Sequence, residues 1–245
     1  SCLVGSEMCI RDRLTGVPCV SSLMGLGAYP ASHPQFLGMV GMHGTYEANM
    51  AMQQADVVLA LGVRFDDRVI SVPEKYLATA KKIIHIDVDP SSIAKRVPVD
   101  VPIVGDIKLA LQTMTHQWEE KQLILDHKGL QCWWEGIELW RGRKRLSYLD
   151  DERIIKPQYV IESLAQLTRN RAYIASDVGQ HQMFVAQYYP FEKSRQWFNS
   201  GGLGTMGVGL PYAMGAQLAL PQETIFCVTG DGSIQMNIQE LSTCY

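Results

Sequence analysis

No two cysteines stand in a C-x-x-C pair, although the 245-residue chain has six: Cys2, Cys9, Cys19, Cys132, Cys227 and Cys244. A zinc site or redox dithiol therefore has little support. Cys19 and Cys227 lie in apolar runs and read as small core residues, and a reducing cytoplasm is the simplest compartment. Positive charge is not in excess: 22 Lys and Arg face 25 Asp and Glu, a net charge of −3. That balance argues against a broad nucleic-acid surface, which needs clustered positive charge. Charge vanishes altogether from residues 14–46 and 196–222. Both stretches are long enough for a membrane span, but both fail on content, with six glycines each, Pro18, Pro30 and Pro34 in the first and Pro211 in the second. Charge-free, glycine-rich chain fits backbone buried close to a ligand or subunit partner. No internal repeat is visible. At 47% hydrophobic and 19% charged residues, the balance is that of a globular chain, one large domain or two modest ones.

Both ends are odd. Residues 1–13 (SCLVGSEMCIRDR) have no helical or strand period and no apolar h-region of a signal peptide. They read as a non-native segment, similar to translated sequencing-adapter read-through. Ile238 to Tyr245 stops inside an apparent helix, so cuts are expected at both ends.

From Leu14 onward strands alternate with helices. Apolar runs predict buried parallel strands at Asp56–Gly62, Lys82–Val88 and Val101–Asp106, after a short β-rich run at Gly16–Ser22. Thr45–Ala55 and Ile107 to about Trp118 read as helices. Residues 119–156 carry eight acidic and eight basic residues, together with Trp133, Trp134 and Trp140. Leu130, Trp133, Trp134, Ile137 and Trp140 make one apolar stripe at helical spacing. The interleaved charges suit a solvated connector whose helix docks by its tryptophans. A second series follows: a helix from Pro157, a strand at Ala172–Asp177, a helix at Gly179–Tyr188, a strand at Gln196–Ser200, a helix at Thr205–Leu220 and a strand at Thr224–Thr229. Repeated β-α-β spacing implies a doubly wound parallel sheet.

Gly202-Leu-Gly-Thr-Met-Gly207 matches G-x-G-x-x-G, a weak sign of dinucleotide binding when it stands alone. The next strand ends in Gly230-Asp231-Gly232. A carboxylate between two glycines at a strand end suits Mg²⁺ bridging to phosphate, and equally suits an N-cap. Glycines 204, 207, 209 and 215, placed in one helix, would each cost roughly 1 kcal/mol, which suggests that side chains are excluded there.

Taken together, Ser176-Asp-Val-Gly-Gln-His-Gln-Met183, Asn199-Ser-Gly-Gly-Leu-Gly-Thr-Met-Gly207 and Gly230-Asp-Gly-Ser-Ile-Gln-Met-Asn-Ile-Gln-Glu-Leu241 resemble the catalytic subunits of acetolactate synthases. So do Ser22-Leu-Met-Gly-Leu-Gly27, Gly41-Met-His-Gly-Thr45, Gly62-Val-Arg-Phe-Asp-Asp-Arg68 and Ile86-Asp-Val-Asp-Pro90. The resemblance implies an α/β fold: a doubly wound, parallel-sheet FAD-binding middle domain over 14–118, the Trp-rich connector over 119–156, and over 157–245 the first part of a truncated thiamine diphosphate-binding α/β domain. It implies decarboxylative joining of two pyruvates to 2-acetolactate, or of pyruvate and 2-oxobutyrate to 2-aceto-2-hydroxybutyrate, on the route to valine, leucine and isoleucine. The implied cofactors are thiamine diphosphate, Mg²⁺ and FAD, the last without net redox. The implied partners are a second catalytic subunit, with the active site at the interface, and a small regulatory subunit, in a bacterial cytoplasm. The glutamate that activates the cofactor belongs to a domain absent from this sequence, so no catalytic residue is assigned and the fragment itself is expected to be inactive.

Residue by residue, the resemblance implies that Met206 wedges the cofactor into a bend, that backbone at Gly204 and Met206 holds its pyrimidine, and that Gln180, His181 and Met183 lie toward the diphosphate. Asp231 would bind Mg²⁺, with backbone at Gly232 and Ser233 on phosphate; Asp177 receives no role. For FAD it implies Leu23, Met24, Met42, His43, Gly44, Gly62, Val63, Arg64, Asp66 and Arg68, with the two arginines on the pyrophosphate, and Asp87, Val88 and Asp106 toward ribose or adenine. Rivals within the superfamily are glyoxylate carboligase, pyruvate oxidase and the flavin-free acetolactate synthase. A rival of another class is a non-catalytic nucleotide-binding module.

Overall fold

The computed structural model describes residues 15–245 apart from 80, 145 and 152, so the reading of residues 1–13 lies outside the described residues. The chain folds as mixed α/β with parallel sheets throughout. The described residues divide into two compact units, one of residues 15–25 and 33–144, the other of residues 26–32 and 146–245.

In the first unit, strand β1 (Cys19–Ser21) pairs with β2 (Phe36–Met39). Helix α1 (Tyr46–Gln54) starts where Thr45 accepts the Ala48 N–H, a standard N-cap. β3 (Val57–Leu61), β4 (Lys82–Asp87) and β5 (Val101–Val104) form a sheet in that order, and α2 (Pro73–Tyr76) lies between β3 and β4. α3 (Ile107–Glu120) is capped by Asp106, which accepts the Leu109 N–H at 3.1 Å. α4 (His127–Arg141) is the helix expected from the tryptophan stripe. Ile137, fully buried, packs with Leu37, Val40, Ala48 and Ala51, and Trp133, Trp134 and Trp140 cover that cluster. The indole N–H of Trp134 also reaches the Gly16 carbonyl at 2.9 Å. A buried apolar side chain such as Ile137 contributes about 1.5–3 kcal/mol, so α4 is held to this unit by its core face.

In the second unit, α5 (Pro157–Thr168) begins with proline in its first turn. β6 (Tyr173–Ser176) is buried at all four residues and lies between β7 (Trp197–Phe198) and β8 (Ile225–Val228). The chain leaves β6 through α6 (Gln180–Tyr188) to β7 on one side, then crosses through α7 (Gly209–Ala219) to β8 on the other. Sequence order thus reverses at β6, and ligands of open α/β sheets bind beyond the strand carboxyl ends at such a point. α8 (Asp231–Met236) and a 3₁₀ turn (Ile238–Ser242) follow.

Two expectations are corrected. Helix α7 opens at Gly209, not Thr205, because Gly204 (φ +62°) and Gly207 (φ +90°) are left-handed and stop a helix from passing through them. Those glycines serve the backbone of a loop, and only Gly209 and Gly215 carry the helical cost. The strand expected over Gln196–Ser200 is only two residues long.

Candidate functional site

At the carboxyl ends of β6 and β8 two turns face each other. After β8, Gly230 caps α8 with extended backbone and Asp231 is the first helical residue. The N-cap alternative for Asp231 is thereby overturned: its carboxylate is exposed and accepts no hydrogen bond among the described residues. Gly232 is exposed, while Ser233 is buried and its hydroxyl donates to the Val178 carbonyl at 3.2 Å.

His181, in the first turn of α6, lays its ring against both turns. A Cβ added at Gly230 would stand 3.0 Å from the ring, and one at Gly179 would stand 2.8 Å from it. Nε2 of His181 is buried and has no hydrogen-bond partner among the described residues. Burial lowers the His181 pKa, against the opposing pull of the Asp177 carboxylate and backbone and of Asp231, so the ring is held toward its neutral form. Gln180 is exposed and Met183 half-buried on the same helix.

The loop before α7 comes to the same place. A 3₁₀ turn (Gly201–Leu203) leads into left-handed Gly204, and Met206 follows with 43% of its surface exposed. The Met206 methyl group lies at Gly232: a Cβ there would be 3.8 Å from Met206 Cε. Two motifs some 25 residues apart in sequence are therefore in contact. The G-x-G-x-x-G run does not open a helix, which removes the structural context of a dinucleotide fingerprint.

The chemistry of this donor set fits a magnesium diphosphate joined to an apolar ring. Asp231 offers an uncommitted hard-oxygen ligand, the start of α8 offers backbone N–H groups, and Met206 offers a polarizable apolar surface. Among the described residues no group of three or more His, Cys, Asp and Glu could hold a metal, so Asp231 would be one ligand beside phosphate and water. Sequence reasoning missed Asp177, which is buried and accepts backbone N–H groups from the Met206 loop.

In the first unit the structure joins two further motifs. Gly41 packs on the Arg68 backbone, the Met42 N–H donates to the Arg68 carbonyl at 2.9 Å, and Asn49 grips both polar groups of Gly41. Met42 is 60% exposed; His43 and Gly44 are partly buried. Gly62 (φ +62°), Val63, Arg64 and Asp66 follow β3, and Arg64 lies 3.7 Å from Asp66, which accepts the Val69 N–H. Asp87 ends β4, buried, and accepts the Asp89 N–H; Val88 is 74% exposed. Asp106 and Gly105 end β5, with open space where a Gly105 Cβ would stand. Parallel strands put these ends along one edge of the sheet. Exposed Arg64 and Arg68 with open backbone beside them suit a dinucleotide's phosphates. Leu23 and Met24 lie in the 3₁₀ turn after β1, and no described contact joins them to Asp87 or Asp106.

Behind this edge His85 is fully buried, edge-on to Phe65 at 5.4 Å, with neither ring nitrogen in a well-formed hydrogen bond among the described residues. Burial lowers its pKa, outweighing the Asp87 charge and the Val63 backbone.

Residues 13–114 match the family described as thiamine pyrophosphate enzyme, central domain, and residues 177–245 match its C-terminal TPP binding domain. Over 227 residues, 93% of this chain, the sequence is 58% identical to the acetolactate synthase isozyme 3 large subunit of Escherichia coli (strain K12) and 56% identical to the acetolactate synthase large subunit of Haemophilus influenzae. Over 97% of this chain it is 46% identical to acetolactate synthase 2, chloroplastic, of Zea mays. The chain spans 37–39% of the length of these relatives.

Proposed function

The chain belongs to the thiamine pyrophosphate enzymes, and from that premise we propose that it is a segment of an acetolactate synthase catalytic subunit. The reaction in view is the decarboxylative joining of pyruvate to a second pyruvate or to 2-oxobutyrate, in a bacterial cytoplasm. No described helix is long and apolar enough to cross a membrane. The observation that carries the reading is the meeting of the Asp231 turn and the Met206 loop where strand order reverses at β6.

When bound, thiamine diphosphate supplies the nucleophilic carbon and the electron sink for ketoacid chemistry. The chain's own residues then hold and orient. Asp231 would hold Mg²⁺, backbone N–H groups at Gly232 and Ser233 would meet phosphate, and Gln180, His181 and Met183 would border the diphosphate end. His181, kept neutral by burial, accepts or donates one hydrogen bond without adding charge. Gly204 and Met206 would present backbone to the cofactor's pyrimidine, and the Met206 side chain would offer it an apolar support. In the first unit FAD would run along the carboxyl edge of β3–β5, with Arg64 and Arg68 on its phosphates and Asp87 on a hydroxyl. The working enzyme would pair two catalytic subunits and bind a small regulatory subunit.

The test is a titration of the chain with thiamine diphosphate and Mg²⁺, read by the methyl NMR signal of Met206. A Mg²⁺-dependent shift that is lost in Asp231→Ala is expected. A shift that persists in Asp231→Ala, or none in the wild type, refutes the assignment.

A further inference from the structure

Asp177 stands at the end of β6 with 1% of its surface exposed. It forms no ion pair with Lys or Arg among the described residues, and backbone dipoles take that place. Oδ1 accepts the N–H groups of Val178 at 2.9 Å and Gly207 at 2.8 Å. Oδ2 accepts the Gly209 N–H at 3.0 Å and lies 3.5 Å from the Thr229 hydroxyl. The Asp177 amide itself donates to the Val228 carbonyl at 2.9 Å, which ties it to the end of β8.

Gly207 is also gripped from its other side. Asn237 Nδ2 donates to the Gly207 carbonyl at 2.7 Å, and a Cβ at Gly207 would strike Asn237 Nδ2 and Met236 Cβ, each at 2.9 Å. At Gly209 a Cβ would come within 3.0 Å of Asp177 itself. The glycines at 207 and 209 therefore let the backbone approach this one carboxylate. A buried carboxylate is costly unless hydrogen-bonded, and each of these bonds is charge-assisted.

We infer that Asp177 is a positioning residue: its carboxylate fixes the path of the Leu203–Val208 loop and so keeps Met206 beside Gly232. Its relevance to catalysis rests on the reading of this loop and the Asp231 turn as a thiamine diphosphate site. Asp177 reaches the Met206 loop through the backbone N–H groups of Gly207 and Gly209, and so acts on that site as a positioning group.

Asp177→Asn tests this, because it preserves shape while turning an NH₂ toward the Gly207 or Gly209 N–H. Amide hydrogen exchange in the free 245-residue chain should quicken at least tenfold at Gly207 and Gly209, with Ile174 and Ala175 of β6 unchanged. The Mg²⁺–thiamine diphosphate concentration that half-shifts the Met206 methyl signal should rise at least tenfold. Unchanged exchange at both glycines overturns the inference. A uniform rise that includes β6 also overturns it, since that marks a general loss of stability. Local quickening with no Met206 response to the cofactor in the wild type upholds the positioning role and refutes the cofactor reading instead. Should the variant not fold, the wild type decides through scalar coupling across the hydrogen bond between Gly207 ¹⁵N and Asp177 ¹³Cγ; its absence overturns the inference.

Discussion

Replacing Gly41 by alanine should come close to unfolding the first unit, and the cost can be worked out from its surroundings. The backbone at Gly41 has φ +104°, a conformation that costs an L-residue about 1–2 kcal/mol. The new Cβ would lie 2.2 Å from the Arg68 carbonyl oxygen, 3.0 Å from the Arg68 carbonyl carbon and 3.2 Å from Val69 Cα. All three are backbone atoms, so no side chain can swing aside. Relief requires the 41–44 turn to move away by roughly 1 Å, given van der Waals separations of ~3.5 Å. That movement breaks the 2.9 Å bond from Met42 N–H to the Arg68 carbonyl and strains the paired bonds from Asn49. Each net hydrogen bond contributes about 1 kcal/mol. The sum is about 3–5 kcal/mol, a large share of a typical domain's stability. With a urea slope of about 2 kcal/mol/M, the midpoint should fall by roughly 1.5–2.5 M. The assay is urea unfolding followed by near-UV circular dichroism of the Trp133–Trp140 pair, whose rings meet edge-on at 5.6 Å in this unit. A midpoint lowered by less than about 0.3 M would refute the steric argument.

Gly136→Ala, in α4 with nothing within 4 Å of the added Cβ, should instead stabilise the first unit by up to about 1 kcal/mol and so raise that urea midpoint by up to about 0.5 M. Because the folded pKa of His85 is depressed, the unfolded chain binds the extra proton; stability is present above pH ~6.5 and is lost as pH falls below it. Urea midpoints measured from pH 7.5 down to 5 should show this slope for the first unit, and His85→Gln should flatten it. Arg64→Ala should weaken FAD binding by about 1.5 kcal/mol, the lower end for a charge-assisted contact because the side chain is largely exposed, and should leave the thiamine diphosphate response of Met206 unchanged. Flavin fluorescence titration measures the first effect and the methyl signal the second.

Strands β3, β4, β5, β6 and β8 were legible because each is an apolar run closed by a nearby glycine or aspartate, and α4 because its tryptophans keep helical spacing; β2 was not, because Gly38 interrupts its short run inside a charge-free stretch. The start of α7 was not legible: apolar periodicity continues through Met206 and cannot register the positive φ of Gly204 and Gly207. The Gly230–Gly232 triplet left Asp231 ambiguous, since glycine and aspartate both cap helices; only geometry shows Gly230 in that place. Asp177 was invisible as a hub because its partners Gly207 and Gly209 lie 30 and 32 residues away. Residues that sit in local motifs could be singled out from sequence as candidates, whereas those that bind one motif to another could not.

Residues 26–32 belong to the second unit although the chain on both sides of them belongs to the first. Tyr29 is fully buried there, the Ala31 N–H donates to the Phe191 carbonyl, and Ser32 bonds Glu192 across 160 residues of chain. At a ribosome adding ~5–20 residues per second, this early segment waits roughly 10–30 s for the chain it packs against. The second unit thus cannot be completed cotranslationally from its own contiguous stretch. A polypeptide beginning at residue 146 would leave the place of Tyr29 unfilled, and a separately expressed second unit needs residues 26–32 supplied as a tethered or added peptide.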